Sequence, residues 1–283
     1  MVKTNTLLLV GVYYKVKVMI GIIGNGFVGN AVYQNLRDKV ECKVYDVDKN
    51  RSPNTLEEVI EQNFIFVCLP TPMKESGECD LSILDQFFEN IFWDNPDIEG
   101  TFVIKSTVPI GTTRRYSEKY NVIHNPEFLT ARNAVEDFRN SERNVVGGDE
   151  ELCKEFVDFF GDVFPKIPSL IVSSDESEAI KYFSNVFLAY KVAYFNKIYD
   201  VCEVTKMNYK NVSFGVSTDS RIGKSHTQVP GIDNDRGFGG TCLPKDINSL
   251  IVQMERIGVN ADMFKEVWKY NKDIRKIIDW TVT

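Results

Sequence analysis

The fold of this chain is decided by residues 16 to 29, which read Val-Lys-Val-Met-Ile-Gly-Ile-Ile-Gly-Asn-Gly-Phe-Val-Gly. The first eight positions are mostly apolar and rich in β-branched residues, which predicts a buried strand. The glycines that follow have the spacing Gly-x-Gly-x-x-Gly, and a helical stretch continues to about Asp38. A second strand, Cys42–Tyr45, ends at Asp46, 22 residues after Gly24. This succession of strand, glycine loop, helix, strand and acid is the dinucleotide-binding fingerprint.

The residues of the fingerprint have distinct physical roles. We expect Gly24 to make the tight turn, Gly26 to let the backbone meet a pyrophosphate, and Gly29 to pack the helix on the strand. Asp46 would accept hydrogen bonds from the adenosine ribose hydroxyls and would repel a 2′-phosphate, which favours NAD over NADP. Asp48 is the alternative acid if the strand continues. The predicted cofactor-binding residues of this segment are Gly24, Gly26, Phe27, Val28, Gly29 and Asp46.

The alternation of strands and helices continues to about residue 173. Further strands are predicted at Asn63–Cys68, Thr101–Lys105, Asn121–His124 and Asn144–Val146, with a helix at Asp80–Ile91. An open α/β sheet binds its ligands at the carboxyl ends of its strands, so the loops after two of these strands are candidate cofactor contacts. They contribute Pro70, Thr71, Ser106 and Thr107. We therefore predict an α/β fold, a doubly wound parallel Rossmann-type sheet, in an NAD-binding domain spanning residues 1–173.

The second part of the chain is predicted to be helical. Residues 175–205 contain no Gly or Pro, and Ser173 or Ser174 can cap the helix. Apolar side chains recur every three or four positions, which indicates a packing face. They are Ile180, Phe183, Phe187, Tyr190, Tyr194, Ile198 and Val201. Lys181 and Asn185 share a face, either as solvated residues or as contacts for a substrate hydroxyl. We expect an all-helical dimerisation domain over residues 174–283, built on this one long helix.

A glycine-rich loop in the helical part carries a cysteine and two charges: Gly237-Phe238-Gly239-Gly240-Thr241-Cys242-Leu243-Pro244-Lys245-Asp246. Glycines let a backbone approach a ligand closely, because no Cβ intervenes. If a helix begins near Leu243, its N-terminal amides and the Lys245 ammonium would favour the thiolate of Cys242. The alternative is a tight turn with a buried cysteine. The flanking glycines and charges favour a nucleophile.

The composition limits the classes of function. Hydrophobic residues make up 43% of the 283 residues and charged residues 26%, as in ordinary globular proteins. A net charge of −7 disfavours a nucleic-acid partner. Six scattered cysteines without a CxxC pair indicate reduced thiols and a cytoplasmic location. No apolar run is long enough for a membrane span, and the first 18 residues fit either an extra edge strand or an extension before a start at Met19.

Taken in order, the motifs resemble those of the UDP-glucose/GDP-mannose dehydrogenase family. They occur in that family's order and cover nearly all of the chain from Met19. The matching stretches are Gly24–Gly29, Leu69–Pro72, Ser106–Thr112, Asn125–Leu129, Lys181 to Asn185, Asp219–Gly223 and Gly237–Asp246. The resemblance implies oxidation of the C6 alcohol of a nucleotide sugar, such as UDP-glucose, to a carboxylate. It implies that two NAD⁺ are used and no metal.

The resemblance also implies roles for individual residues. Cys242 would be the nucleophile that carries a thiohemiacetal and then a thioester. Its polar partners in catalysis would be Lys181, Asn185, Thr107, Glu127 and Asp246. Contacts with the nucleotide-sugar substrate would come from Glu127, Phe128, Leu129, Lys181, Asn185, Phe238, Gly239 and Gly240. Lys245 would lie at the cofactor, and Arg221 would hold substrate across a homodimer interface.

Three departures from the family pattern keep alternatives open, and one of them is Thr130-Ala131-Arg132-Asn133 in place of the Glu-Gly that usually follows Leu129. Residues 224–236 are several residues longer than the usual connection, and His226 within them is either a substrate contact or a surface residue. Members of the family usually continue into a second Rossmann-like domain that grips the nucleotide, whereas this sequence ends at Thr283. A two-electron dehydrogenase of a small hydroxy acid and a non-catalytic NAD-binding subunit are therefore alternatives. The NADH yield per substrate separates these possibilities: the nucleotide-sugar oxidation gives two NADH, the hydroxy-acid oxidation gives one, and the non-catalytic subunit gives none.

Overall fold

A computed structural model describes residues 18–94 and 97–280. Most of the first 18 residues, for which an edge strand or an extension was predicted, lie outside the described residues. The described chain forms a seven-stranded sheet in the spatial order β2-β1-β3-β4-β5-β6-β7. The strands are β1 (Met19–Ile23), β2 (Glu41–Tyr45), β3 (Phe64–Val67), β4 (Thr101–Ile104), β5 (Val122–His124), β6 (Asn144–Gly147) and β7 (Ser169–Val172).

The sheet is mostly parallel, which confirms the predicted α/β fold class. Strands β1 to β5 are parallel to their neighbours, whereas β6 is antiparallel to β5 and β7 is parallel to β6. The last two strands therefore run opposite to the rest, which the pattern of strands and helices in the sequence does not indicate. Strand β7 was not predicted either; it is a short edge strand on which Leu170 and Ile171 stay partly exposed.

The crossover at β1 positions the ligand edge of the sheet. Strand β2 pairs with one side of β1, and β3 pairs with the other side. The loops that follow β1 and β3 therefore open into one crevice at the carboxyl ends of the strands. Both loops were predicted to bind the cofactor.

Helices cover both faces of the sheet, which explains why its strands are apolar throughout. One buried cluster packs the sheet against α1, α5 and α6, and a second packs it against α2, α3 and α4. These helices are α1 (Phe27–Leu36), α2 (Leu56–Ile60), α3 (Ser82–Asp94), α4 (Thr112–Ser117), α5 (Ala134–Arg139) and α6 (Glu150–Val163). A 3-10 turn at Lys49–Arg51 follows β2.

The long predicted helix is α7 (Ser174–Thr205), which has 32 residues. Ser173 caps it, because its hydroxyl accepts from the Glu176 N–H while the Glu176 carboxylate accepts from the Ser173 N–H. Three further helices follow: α8 (Tyr209–Ser217), α9 (Leu243–Arg256) and α10 (Asp262–Ile274). Within the described ranges, no helix combines the length and the hydropathy needed to cross a membrane.

Helix α7 has one buried face and one exposed face. Tyr182, Val186 and Ala189 are buried in a cluster shared with α9 and α10. The predicted aromatic stripe lies elsewhere on the helix: Phe183 is 55% exposed and Phe187 is 64% exposed. The stripe is thus not a packing face within the described chain, and a different set of α7 residues forms the core.

The sequence predicts a last helix over Ala261–Trp280, whereas the observed α10 is shorter. It ends at Ile274, and Arg275 has an extended backbone with a ψ of 135°. The carboxylate of Asp235 accepts hydrogen bonds from the backbone N–H groups of Lys276 and Ile277. These amides are therefore satisfied by a side chain, which replaces the helical carbonyls and ends the helix.

Candidate active site

The first glycine loop has the geometry of a tight turn. Gly24 has a φ of +86°, which favours glycine, and a Cβ on Gly29 would overlap the Gly24 carbonyl oxygen. Gly26 is exposed at the start of α1, with no atom within 4 Å of the position of an added Cβ. Phe27 is 40% exposed and Val28 is half-buried beside it. The turn and packing expected of Gly24 and Gly29 are present, and Gly26 leaves room for an anion at the helix N-terminus.

Asp46 lies at the ligand edge, directly after the end of β2 at Tyr45. Its carboxylate accepts hydrogen bonds from the backbone N–H groups of Asn25, at 2.6 Å, and Asp48, at 2.9 Å. Asp48 itself caps the 3-10 turn and pairs with Arg51. The geometry therefore favours Asp46 over Asp48 as the acid that faces the cofactor ribose.

The loops after β3 and β4 are joined to each other. The Thr71 hydroxyl donates to the Thr107 carbonyl oxygen at 2.9 Å, and the Ser106 hydroxyl donates to the Leu69 carbonyl oxygen at 2.5 Å. Pro70, which lies between Leu69 and Thr71 in the chain, is exposed, while Thr71 and Thr107 are buried. All of these predicted residues thus lie at the same edge of the sheet as the first glycine loop.

Lys181 on α7 is buried against the loop that follows β5. It is 2% exposed, and its ammonium donates to the backbone oxygen of Glu127 at 2.5 Å and to the Glu127 carboxylate at 3.0 Å. The other carboxylate oxygen of Glu127 accepts from the Leu129 N–H at 2.6 Å. The Phe128 ring lies 5.4 Å from the ammonium. The alternative that Lys181 is merely solvated is wrong.

Asn185, one turn further along α7, holds a second buried carboxylate. Its side-chain amide donates to Asp246 at 2.5 Å, and Lys245 donates to the other Asp246 oxygen at 2.5 Å. Although burial lowers the pKa of Lys245, the charge of Asp246 raises it above the ordinary value. Lys245 was predicted at the cofactor, and in this structure its ammonium is paired with Asp246.

Cys242 is the N-cap residue of α9, which begins at Leu243 as expected. Its pKa is nevertheless raised, first by burial and then by the charges of Asp246 and Glu127, while Lys181 and Lys245 lower it. The expectation of a stabilised thiolate is therefore wrong, because burial dominates and Lys245 is already paired. The same charges show that both carboxylates and both ammonium groups lie close enough to the thiol to act on it.

The glycines of the cysteine loop differ in what they approach. A Cβ on Gly237 would overlap the Asn271 side chain, and one on Gly239 would overlap the Arg275 guanidinium. Gly240 has a φ of +76° and open space around it. Phe238 is 3% exposed, and its side chain packs in the core cluster that α7 shares with α9 and α10. Two of the three glycines thus make room for the chain's own side chains, whereas Gly240 has open space around it.

Arg221 lies outside the buried cluster. Its side chain is 87% exposed and pairs with Asp219 at 2.6 Å. Lys191 on α7 donates to the carbonyl oxygens of the two residues after Arg221, at 2.8 and 3.0 Å, and so fastens this segment to the helix. His226 in the longer connection is exposed, with a φ of +61°.

Two buried charged residues near the site were not predicted from the sequence. Glu178 on α7 accepts from the backbone N–H groups of Gly111, at 2.6 Å, and Thr113, at 2.7 Å. Burial raises the pKa of Glu178 to about 7. Lys105, directly after β4, is 4% exposed, and burial lowers its pKa to about 8. The available signal for Lys105 was a charged residue that ends an otherwise apolar strand.

The arrangement suits oxidation and acyl chemistry at a thiol. A buried ammonium and an amide can stabilise an alkoxide, and two carboxylates can accept protons. Among the residues that the structure describes, no group of three or more His, Cys, Asp or Glu side chains is placed to hold a metal ion.

The fold and the cluster together define a class of protein. A dinucleotide-binding sheet is followed by a helical part that brings a thiol, a lysine and carboxylates together, as expected of a nicotinamide-dependent dehydrogenase. Residues 51–161 match the NAD binding domain of the UDP-glucose/GDP-mannose dehydrogenase family, and residues 175–273 match the central domain of that family.

Individual relatives agree with this assignment. The chain is 33% identical over 255 residues to a UDP-glucose 6-dehydrogenase of Rickettsia conorii, covering 85% of this chain and 56% of that protein. It is 30% identical over 296 residues to a UDP-glucose 6-dehydrogenase of Campylobacter jejuni, covering 91% and 72%. The structure of a UDP-glucose dehydrogenase from Pyrobaculum islandicum superimposes with a TM-score of 0.79 at 26% identity, covering 93% and 70%.

The chain belongs to the UDP-glucose/GDP-mannose dehydrogenase family, as its motifs indicated. It carries the NAD binding domain and the central domain. It spans about half the length of several curated relatives that it matches.

Proposed function

We propose that this chain oxidises the C6 alcohol of a UDP-glucose-like nucleotide sugar to the carboxylate, with NAD⁺ as the oxidant in two successive steps. One observation carries the proposal: the Cys242 thiol lies in the field of two buried pairs, Lys181 with Glu127 and Lys245 with Asp246. A two-electron oxidation of a small hydroxy acid has no use for a thiol in this position. The thiol therefore favours the four-electron reaction over the two-electron alternative.

The residues at the ligand edge fit NAD. Gly26 offers open space at the N-terminus of α1, where the amides of the first turn have no side-chain cap. Asp46 would hold the ribose hydroxyls, and the joined loops with Thr71 and Ser106 would lie along the nicotinamide half. When bound, NAD⁺ supplies the acceptor for the two hydrides that leave the substrate.

In the first step the chain stabilises charge on oxygen. Lys181 is a buried ammonium, and Asn185 a buried amide on the same face of α7. Preformed donors of this kind stabilise an alkoxide more strongly in a dry site than in water. We infer that both donors point to the C6 oxygen while the hydroxyl proton passes to Glu127 or Asp246 and a hydride leaves carbon C6 for NAD⁺, which gives an aldehyde.

In the second step Cys242 holds the aldehyde. Its sulfur adds to the carbonyl carbon while the thiol proton ends on the oxygen, which gives a thiohemiacetal. Loss of a second hydride from carbon and of the hydroxyl proton gives a thioester. A raised thiol pKa is compatible with this role, because the proton can leave as the carbon–sulfur bond forms.

In the third step water cleaves the thioester. Glu127 or Asp246 takes a proton from the water as its oxygen attacks the carbonyl carbon, and the proton is returned to the departing sulfur. Cys242 is thereby regenerated and the carboxylate is released.

The NADH yield tests the proposed function. A panel of UDP- and GDP-sugars is offered with excess NAD⁺, and NADH is counted against substrate consumed. We expect two NADH for each molecule of the true substrate. One NADH per substrate would establish the two-electron alternative, and tight NAD⁺ binding without turnover on any sugar would indicate a non-catalytic subunit.

The carboxylate of Asp46 predicts the cofactor preference. NAD⁺ should bind far more tightly than NADP⁺, because a 2′-phosphate would meet a like charge. Asp46→Ala should reduce the ratio of NAD⁺ affinity to NADP⁺ affinity by roughly tenfold or more. Each factor of ten corresponds to about 1.4 kcal/mol of binding free energy. Calorimetric titration with both cofactors measures the ratio. Equal affinities in the unaltered protein would contradict the assignment of Asp46.

The exposed stripe on α7 predicts a homodimer. Phe183, Phe187 and Tyr194 are each at least half exposed on one helix, and burial against a second copy would remove this apolar surface from water. We propose that α7 packs on its equivalent, with Arg221 placed near the active site of the partner. Sedimentation at micromolar concentration should show a dimer of the 32.3 kDa chain.

A pair of variants checks that interface. Phe187→Glu places a charge in the proposed contact and should give monomers. Ile257→Glu, at a residue 75% exposed after the end of α9, should leave the dimer intact. A dimer that persists in Phe187→Glu would rule out packing through this stripe.

The reaction also fits a cytoplasmic location. The six cysteines are all free in the structure, which suits a reducing compartment. We therefore propose that the protein is located in the cytoplasm.

A further inference from the structure

Lys105 is a buried cation that has more N–H donors than acceptors among the described residues. Its ammonium donates to the side-chain oxygen of Asn125 at 2.8 Å, the single hydrogen-bond acceptor that it has among the described residues. An ammonium carries three donors, and a buried donor without a partner is destabilising. Two N–H groups of Lys105 are therefore available to another polar molecule.

The orientation of Asn125 is fixed by other bonds. Its amide nitrogen donates to the Asn144 side chain at 2.7 Å and to the Val145 carbonyl oxygen at 2.6 Å. Its side-chain oxygen must therefore face Lys105. The chain continues from Asn125 through one proline to Glu127, so the lysine and the carboxylate are anchored to the same short loop.

A small cavity adjoins both groups. It has a volume of about 20 Å³, and its lining includes Lys105, Asn125, Glu127, Phe138 and Arg143. Roughly 10–15 Å³ is enough for one water, which also needs two to four polar partners. Lys105 can donate to such a water, and the carboxylate oxygens of Glu127 each retain a lone pair to accept from it. Because Arg143 is exposed and Lys105 is buried, the lining extends from the surface inward.

We propose that Lys105 and Glu127 hold a water molecule in this cavity and that this site supplies the water that cleaves the Cys242 thioester. The inference rests on the proposed function, since only an acyl-enzyme needs such a water. Lys105 orients the water and Glu127 takes its proton. The water oxygen bonds to the acyl carbon, the carbon–sulfur bond breaks, and the proton passes from Glu127 to the sulfur.

The position of Lys105 suits a role in hydrolysis more than in oxidation. The charges of Cys68, Glu127 and Lys181 act on the Lys105 ammonium, whereas Cys242 is not among the groups that do so. Removing its ammonium should therefore leave the thiol's surroundings in place while the water loses its donor. Lys105 is a positioning residue in this scheme.

Lys105→Met tests the proposal, because methionine has a similar length and no donor. We expect rapid mixing to show a burst of two NADH per active site at close to the normal rate. Steady-state turnover should then fall by at least about tenfold. The acyl group should accumulate on the peptide that contains Cys242, seen as a mass increase, and hydroxylamine should restore turnover by cleaving the thioester in place of water.

Lys39→Met is the matched control. Both lysines lie near a phenylalanine ring, Lys105 near Phe138 and Lys39 near Phe164. Lys39 donates to one backbone carbonyl, but it is exposed and outside the site. It should behave like the unaltered protein. If Lys105→Met instead slows the NADH burst in proportion to turnover, accumulates no acyl group and gains nothing from hydroxylamine, Lys105 is only a structural residue and the proposal is overturned.

A crystal structure at high resolution gives a second test that needs no activity or variant. We expect an ordered water within hydrogen-bond distance of both the Lys105 ammonium and the Glu127 carboxylate. If the protein yields two NADH per sugar but the structure shows no water at this position, the water-site proposal is wrong and the proposed function stands. A protein that holds the water but releases no NADH would retain the site and lose the proposed function together with the hydrolytic role.

Discussion

Cys242→Ser should reduce turnover by roughly three orders of magnitude or more while leaving NAD⁺ affinity nearly unchanged. The thiol acts in the bond-making steps, and it is not among the residues at the cofactor edge. Serine is far harder to ionise, and the ester that it would form is a poorer acyl donor to water than a thioester. A stalled covalent adduct is therefore expected, visible as a mass increase on the peptide that contains residue 242.

Cys42→Ser is the matched control for this experiment. Cys42 is also half-buried, but it lies on β2 away from the cluster, and its substitution should leave turnover unchanged. If Cys242→Ser instead releases two NADH per sugar at the normal rate, the thioester route is lost and Cys242 is a packing residue.

Asp246→Leu should destabilise the fold as well as abolish turnover. The carboxylate is fully buried, pairs with Lys245 and accepts from Asn185. Removing it leaves the Lys245 ammonium buried without its anion, and the loss of one partner of a buried pair costs about 3–5 kcal/mol. The pKa of Lys245 should also fall once the charge that raises it is gone. Denaturant unfolding measures the change in the free energy of unfolding.

Two comparisons sharpen the Asp246 result. Asp246→Asn keeps an acceptor of similar shape and should lose less stability than Asp246→Leu. Glu150→Ala removes a carboxylate from an exposed pair with Lys154 and should have no measurable effect. A loss below about 1 kcal/mol in Asp246→Leu would contradict the view that this buried carboxylate stabilises the fold through Lys245 and Asn185.

Much of the fold could be read from the sequence because its signals are local. The apolar run before Gly24, the glycine spacing and the acid at Asp46 specify a βαβ unit by themselves. A stretch of 31 residues without Gly or Pro, with a serine before it, specifies the long helix. Strand β7 and the end of α10 were missed, because one is a short apolar run and the other is ended by Asp235, a residue distant in sequence.

Several candidate site residues named from the sequence lie together in the structure, but the charges around them could not be deduced from the sequence. The family motifs identified Lys181, Glu127 and Asp246. The sequence did not show, however, that Lys181 pairs with Glu127 or that Lys245 pairs with Asp246. The bond between Lys181 and Glu127 joins residues 54 positions apart. Glu178 was not predicted, because a single charged residue in a helix carries no sign of whether it will be buried, and for Lys105 the only signal was its place at the end of an apolar strand.

The sequence by itself thus determined the class of fold, the dinucleotide-binding fingerprint and the family, since each depends on residue types at fixed short spacings. The tertiary structure decided which face of α7 is buried, which glycines face open space and which charges surround Cys242. These features depend on burial and on contacts between residues far apart in the chain. The raised pKa of Cys242 shows the reason: a helix N-terminus and a lysine favour the thiolate locally, but desolvation in the folded chain outweighs both.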